Sequence, residues 1–381
     1  MAGKVSTKCR LLFVIDDMGV GGAQKQVAEV VNRLDGCAFV SDIVCITEGG
    51  VNLERAHGAR EAYVLGASKV YDVRGTAAAA RLAGIVRQGK YHVLEAYLPA
   101  AHLVGALALA GSRRTALVAA RRHVADLDPA WMATAKPLLN RATWLSIANS
   151  QAVKRSIVER YGLPPSKVVV VPNFVLVADG ASRREDVRRR LGLADADFAV
   201  AAAGTFCPVK DYPTILKAFA GLVGAGRRAV LVVAGDGKGR GGVAALAERL
   251  GLNGQVRFLG AVGDVREVLR ASDAFVHASV SEGMSNAILE AMAEGLPVVA
   301  SDIPANRETL GESGARFFAP GDARGCLEGL EAFADDRAAA ALAGQRCRER
   351  ARRAFGSDRT VRRRERIYRR IAGVIDGKTK A

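Results

Sequence analysis

The chain of 381 residues lacks several features that would each decide its class. No apolar run approaches the ~18–20 consecutive residues that span a bilayer. The longest candidate, 103–110, reads as a buried helix. The N-terminus has no long apolar core before its first charges, so no secretion signal is expected, and the expected location is the cytoplasm. The six cysteines (Cys9, Cys37, Cys45, Cys207, Cys326 and Cys347) contain no C-x-x-C pair, and no His stands at finger-like spacing. That argues against a zinc site or disulfide framework and for buried reduced thiols. There is no long polar low-complexity stretch to favour disorder, and no period of about 20–50 residues to suggest a repeat array. Aromatic residues make up only 6% of the chain.

Acidic residues are outnumbered, 39 against 55 Lys and Arg, for a formal charge of +16. The imbalance is local. Through residue 172 there are 22 basic and 13 acidic residues; from 173 to 336 there are 18 and 22; from 337 onward there are 15 and 4. A basic first half and tail would attract phosphates or anionic lipid, or would simply be solvated. The acidic middle argues against a nucleic-acid binder, and no nucleic-acid partner is expected.

What is abundant is glycine, 41 residues, set among short β-rich runs that alternate with helical stretches. In the first half the expected strands are 10–15, 41–46, 61–64, 92–96, 116–119, 144–148 and 168–171, with helical patterns at 23–34 and 76–88 between them. The runs are short, apolar and bounded by turn residues, as strands covered on both faces should be. The pattern pauses near Pro172-Asn173-Phe174 and a polar, basic stretch, 179–190, follows. It resumes at 198–203, 229–234, 256–259, 274–277, 297–300 and 316–318. This implies α/β architecture with two successive doubly wound parallel sheets and a boundary at about 173–177. The tail, 337–381, reads as helices with an Arg-rich face.

Four turns and one histidine could carry chemistry. Gly19, Gly21 and Gly22 follow the first strand and open a helix, a place where backbone approaches a ligand closely and anions are favoured, or a plain tight turn; the spacing there is not G-x-G-x-x-G. Gly204-Thr205-Phe206-Cys207-Pro208-Val209-Lys210 follows the first strand of the second half. Lys210 could neutralise a diphosphate as a point charge, or be one more surface lysine. After 274–277 comes Ser281-Glu282-Gly283-Met284-Ser285-Asn286, then a helix carrying Glu290. Ser285 or Asn286 can cap that helix, and the N–H groups of Met284, Ser285 and Asn286 could hold phosphate or sugar oxygens. Glu282 and Glu290 would bracket this helix end and accept hydrogen bonds from sugar hydroxyls. Alternatively Glu290 is a surface helix residue and Glu282 a loop charge, with Ile288, Leu289 and Met292 as the buried stripe. Gly235-Asp236-Gly237 reads mainly as turn geometry and is not a Walker loop. His123, past the strand at 116–119, could position a donor or acceptor, or be structural. His57, His92, His102 and His277 show no metal-ligand spacing.

Taken in order, these motifs resemble the family 4 (group 1) glycosyltransferases over nearly the whole chain. The most specific part is E-x₇-E, Glu282 to Glu290, within S-E-G-M-S-N-A-I-L-E-A-M-A-E-G-L-P. Gly21-Gly22-Ala23-Gln24, Asn149-Ser150-Gln151, Gly235-Asp236-Gly237 and Phe258-Leu259-Gly260 fit the same pattern. The resemblance implies the GT-B fold: two Rossmann-like domains facing a central cleft. It divides the chain into 1–174 as acceptor domain, 175–360 as nucleotide-sugar domain and 361–381 as a helix returning to the first. The implied reaction moves a sugar, with retention, from a nucleotide-diphosphate sugar to a hydroxyl acceptor, without a metal or other cofactor. A UDP-sugar is the expected donor, and a glycan or lipid-linked polysaccharide precursor the expected acceptor. Peripheral attachment to an anionic membrane surface goes with that acceptor.

By resemblance, Glu282 would touch the donor sugar near its reacting end, Glu290 the ribose and Lys210 the diphosphate. Gly283, Met284, Ser285 and Asn286 would offer backbone, Gly204 and Thr205 would line the donor, and Gly21 and Gly22 would approach it from the first domain. His123 matches the family's first-domain His loosely. The sequence departs from the pattern at Thr205, where an Arg usually follows the Gly, so half of the usual Arg/Lys clamp is missing. Other chemistry on the same fold, an epimerase or phosphorylase, or an inactive nucleotide-sugar binder, are the alternatives.

Overall fold

The computed structural model describes residues 8–67, 73–124, 131–177 and 183–377; residues 179–182 of the polar stretch and 378–381 of the tail lie outside the described residues. The chain forms two compact units, Met1–Asn173 with Asp358–Ala381, and Phe174–Ser357. The first holds seven parallel strands: β1 (Cys9–Ile15), β2 (Phe39–Cys45), β3 (Ala59–Val64), β4 (Val93–Tyr97), β5 (Ala116–Arg121), β6 (Thr143–Ala148) and β7 (Val168–Val170). Their order is β3-β2-β1-β4-β5-β6-β7. The second holds β8 (Phe198–Ala203), β9 (Ala229–Ala234), β10 (Val256–Gly260), β11 (Ala274–His277), β12 (Val298–Ser301) and β13 (Arg316–Phe318), in the order β10-β9-β8-β11-β12-β13. Each sheet therefore reverses its direction of growth once, between β1 and β4 and between β8 and β11. Open α/β sheets bind ligands at the carboxyl ends of strands at such a reversal.

Burial explains the strand composition. Every residue of β4, β9, β11 and β12 is buried, so these strands read as mainly apolar runs, interrupted in β4 by Glu95. The edge strands β3 and β10 are half-buried or exposed along most of their length. β12 begins one residue later than the expected 297–300. Pro297 has no N–H for the ladder, and only its carbonyl takes part, accepting from the Phe275 N–H at 3.0 Å. In the second unit the sheet separates two cores, one with Phe275, Ile288 and Met292, the other with Val200, Phe219 and Val276. The stripe Ile288, Leu289 and Met292 thus anchors the helix Asn286–Ala293 on one face of the sheet.

The last helix, Ser357–Ile375, packs on the first unit's sheet. The Tyr368 ring meets Phe13 edge-on at 6.4 Å and Phe39 at 6.3 Å. Arg364 Nη1 lies 2.6 Å from Glu95 Oε1 on β4, with both side chains 2% exposed, and the Tyr368 hydroxyl donates to the other carboxylate oxygen. On the opposite side Arg362, Arg363, Arg366 and Arg370 are exposed. The cysteines divide. Cys9, Cys45, Cys326 and Cys347 are buried, and burial pushes their thiols up, the first three to about 12 and Cys347 to about 11. Cys37 is exposed and Cys207 half-buried, so the expectation of buried thiols fails for those two.

Breaking a buried pair strands its remaining charge, at a cost of about 3–5 kcal/mol, whereas replacing both members with apolar groups is often close to neutral. Glu95→Ala is therefore expected to cost about 3–5 kcal/mol in urea unfolding, and Glu95→Leu/Arg364→Met much less. Equal losses in the two variants would show that the pair itself carries no special weight.

Candidate functional site

The carboxyl ends of β8 and β11, the two strands flanking the second sheet's reversal, carry the loops with Lys210 and Glu282. The Val280 N–H donates to the Val209 carbonyl at 2.9 Å, tying one loop to the other. Lys210 Nζ lies 2.5 Å from Glu282 Oε1. Ser279 Oγ donates to the same oxygen at 2.9 Å, and His277 Nε2 lies 3.2 Å from it. Three donors converge on Oε1, and none of the three reaches Oε2. Behind them Ser301 Oγ donates to the Ser279 carbonyl at 2.5 Å, and Asn306 Nδ2 to the Ser301 carbonyl at 2.9 Å. The side chains of Glu282 and Lys210 are 15% and 23% exposed.

This burial alone would raise the Glu282 carboxyl, but the His277 hydrogen bond and the Lys210 charge outweigh it and hold the group at about 2. Burial, helped by the Lys210 charge, pushes His277 below its ordinary value against the pull of Glu282, so the imidazole is neutral at pH 7. The hub at neutral pH is one ammonium, one carboxylate and a neutral ring.

Backbone geometry aims these groups. Asp211, directly after Lys210, sits in the left-handed region at φ 45°, held there by capping the helix Tyr212–Gly224 and by a 2.6 Å hydrogen bond from Thr214 Oγ1. A Cβ on Gly235, at φ +157°, would stand 2.0 Å from the Gly204 carbonyl oxygen. The turn at 235–239 therefore stacks on the turn at 204–206, and the Phe206 N–H donates to the Asp236 carbonyl at 3.1 Å. Gly204 has φ +149°, and a Cβ there would lie 3.4 Å from Lys210 Cε. Thr205 is exposed, beside Gly237. Gly283, Met284 and Ser285 are buried, and Ser285 Oγ caps the helix Asn286–Ala293 by accepting from the Ile288 N–H at 3.4 Å. Glu290 stands on that helix at 9% exposure, so it is not a solvated surface residue.

The other named residues belong to the first unit. Gly21, extended, precedes the helix Gly22–Arg33 that begins at Gly22. Asp16, at the carboxyl end of β1, accepts from the Ala101 N–H at 3.0 Å, and burial pushes its carboxyl up to about 6. His123, two residues past β5, lines a small, partly open pocket with Leu98, His102, Arg121, Arg122 and Ile157. The structure thus brings Lys210 together with Glu282, and gathers Gly204, Thr205 and the Gly283–Asn286 turn at the ends of the same two strands; Gly21, Gly22 and His123 lie in the first unit. Sequence reasoning missed His277 and Ser279. Their signal was the run H-x-S-x-x-E at the end of an apolar strand, which a search for metal-ligand spacing passes over. Among the described residues no group of three or more His, Cys, Asp or Glu could hold a metal ion, and no described helix is long and apolar enough to cross a membrane.

A carboxyl held below its unfolded value stabilises the fold fully above about pH 4.5, and this is lost as pH falls toward about 2. The shift corresponds to about 3 kcal/mol. The stabilisation from a buried neutral His277 is lost as pH falls below 6.5, its unfolded value. Glu282→Gln is accordingly expected to flatten the fall of the urea midpoint between pH 4.5 and the acid limit. An unchanged acid slope would contradict the ionised hub.

The family model for group 1 glycosyl transferases matches residues 183–354, and that for glycosyltransferase family 4 matches 20–178. The lipopolysaccharide core biosynthesis glycosyltransferase LpsE of Rhizobium meliloti is 36% identical over 173 residues, 45% of this chain and 48% of its own length. A D-inositol 3-phosphate glycosyltransferase of Actinosynnema mirum is 34% identical over 169 residues, 41% of this chain and 40% of its own. The chain spans less than half the length of these curated relatives. Among solved structures, Anabaena HepE in complex with UDP and glucose aligns with a TM-score of 0.82 at 21% identity, covering 94% of this chain and 99% of that one. WaaG, a glycosyltransferase involved in lipopolysaccharide biosynthesis, aligns at 0.74 and 17%, covering 96% and 100%. Both share the two-domain GT-B fold of parallel Rossmann-like sheets.

Proposed function

Since the chain belongs to the family 4, group 1 glycosyltransferases, we propose that it moves a sugar from a nucleotide-diphosphate sugar to a hydroxyl acceptor with retention of anomeric configuration. The observation that carries this reading is the Lys210–Glu282 contact at the reversal point of the second sheet, with Oε2 turned away from all three hub donors. Lys210 is the cation for the diphosphate, and Glu282 accepts from a hydroxyl of the donor sugar near its reacting end. Glu290 holds the ribose hydroxyls, and the Gly283–Asn286 turn supplies backbone to phosphate and sugar oxygens. Gly204 and Thr205 line the donor. Gly21 and Gly22 leave their turn open to a ligand's close approach, and His123 helps position a substrate from the first unit.

Chemistry on this reading is electrostatic. Bond breaking loads negative charge onto the leaving phosphate, where a fixed ammonium is worth more than in water because the hub is already desolvated. A well-placed donor of this kind contributes about 2.7–4 kcal/mol. The departing phosphate then takes the proton of the attacking hydroxyl on the same face, so no covalent nucleophile and no metal is invoked. UDP is the proposed nucleotide, on the model of HepE, which holds UDP and glucose. The proposed acceptor is a glycan or lipid-linked precursor, as for the relative in lipopolysaccharide core biosynthesis. The exposed arginines of the last helix support cytoplasmic, peripheral attachment to an anionic membrane that presents such an acceptor.

The test is release of nucleoside diphosphate from a panel of nucleotide sugars and acceptors, with anomeric analysis of the product. Glu282→Gln is expected to lower turnover about 10²–10³-fold with little change in donor affinity, and Glu290→Ala to weaken donor affinity about tenfold. Wild-type rates in both variants, or a product of inverted configuration, would reject the assignment.

A further inference from the structure

The cavity beside His123 contains a charge that the proposed transfer does not use. Arg122 lines it, yet its Nε and Nη2 are buried and make no hydrogen bond among the described residues. The guanidinium lies over the Tyr97 ring at 5.5 Å. Glu95 also acts on it, but that carboxylate already accepts from Arg364 and from the Tyr368 hydroxyl. Arg122 and Arg364 thus share one buried carboxylate, leaving an excess of one positive charge under the cavity floor. Burial pushes Arg122 down to about 10, so it remains a cation at neutral pH. The remaining wall sets Ala96, Leu98 and Ile157 beside His102 and Arg121. A half-buried cation with unbonded nitrogens and only a shared carboxylate gains from pairing with an anion, and a planar guanidinium best fits an oxyanion.

We infer that this cavity is a subsite for an oxyanion, a phosphate or a carboxylate, carried by the acceptor, with Arg122 as its counter-charge. The inference rests on the reading of the first unit as the acceptor side, and it gives that acceptor a chemical class: an anionic one. His123 stands at the same pocket. Diphosphate binding in the second unit neither needs Arg122 nor depends on it.

The experiment titrates inorganic phosphate, and separately acetate, into the full chain saturated with UDP, following thermal unfolding. Wild type is expected to be stabilised by millimolar phosphate or acetate, the stronger of the two identifying the anion. Arg122→Met, which keeps bulk without charge, is expected to unfold no lower than wild type in anion-free buffer and to lose the anion-dependent rise. Arg122→Lys is expected to retain part of it, with at least tenfold weaker anion affinity. Equal anion stabilisation of wild type and Arg122→Met would overturn the inference. So would an anion-free Arg122→Met much less stable than wild type, since the guanidinium would then serve the fold. UDP binding, measured in parallel, keeps the two readings apart: its absence defeats the proposed transfer, whereas the Arg122 comparison is read with or without it.

Discussion

A single carboxylate oxygen organises the carboxyl end of the second unit's sheet. Glu282 Oε1 receives Lys210, His277 and Ser279, drawn from the last residue of β11 and from the two loops that leave the sheet on either side of its reversal. Removing these groups from water is costly, and only their mutual contacts make the burial tolerable. The same contacts fix where the ammonium and the second carboxylate oxygen stand, so stability and site geometry are one constraint. The stacked glycine turns serve it as well, because no side chain fits between Gly235 and the Gly204 carbonyl.

The sheets were legible in the sequence because the chain hides both faces of most strands. Apolar runs such as 229–234 and 274–277 coincide with β9 and β11 residue for residue. Strand edges were less legible: the start of β12 shifts because Pro297 cannot donate, a local rule that an apolar run conceals. Of the hub, Lys210 and Glu282 stood out as candidates, but as separate ones. Their pairing is a consequence of strand order, which places β8 beside β11 across two intervening strand–helix units. His277 was hidden for a different reason, since the last residue of an apolar strand looks structural until its neighbour on the next loop is known.

Charge counts behaved in the same way. The excess of arginine in the tail is visible in composition, but the chain uses its arginines in opposite manners. Arg364 is buried against Glu95, one residue among exposed neighbours on the same helix. Arg122 is half-buried, its Nε and Nη2 are out of solvent, and it has no carboxylate of its own. Helical spacing puts Arg364 on the stripe of Val361, Tyr368 and Ile371, but its partner Glu95 comes from another strand, and nothing local marks Arg122. Departure from the family pattern at Thr205 leaves Lys210 as the cation of the 204–210 loop, which makes the account depend on it all the more.

The most direct measurement is calorimetric titration of UDP into wild type, Lys210→Met and Lys210→Met/Glu282→Gln, the last leaving no unpaired charge in the hub. A charge-assisted contact is worth about 1.5–3 kcal/mol, or about 10–100-fold in affinity. The account predicts a loss of that size in both variants. Unchanged affinity in the folded double variant would place the diphosphate elsewhere and contradict it.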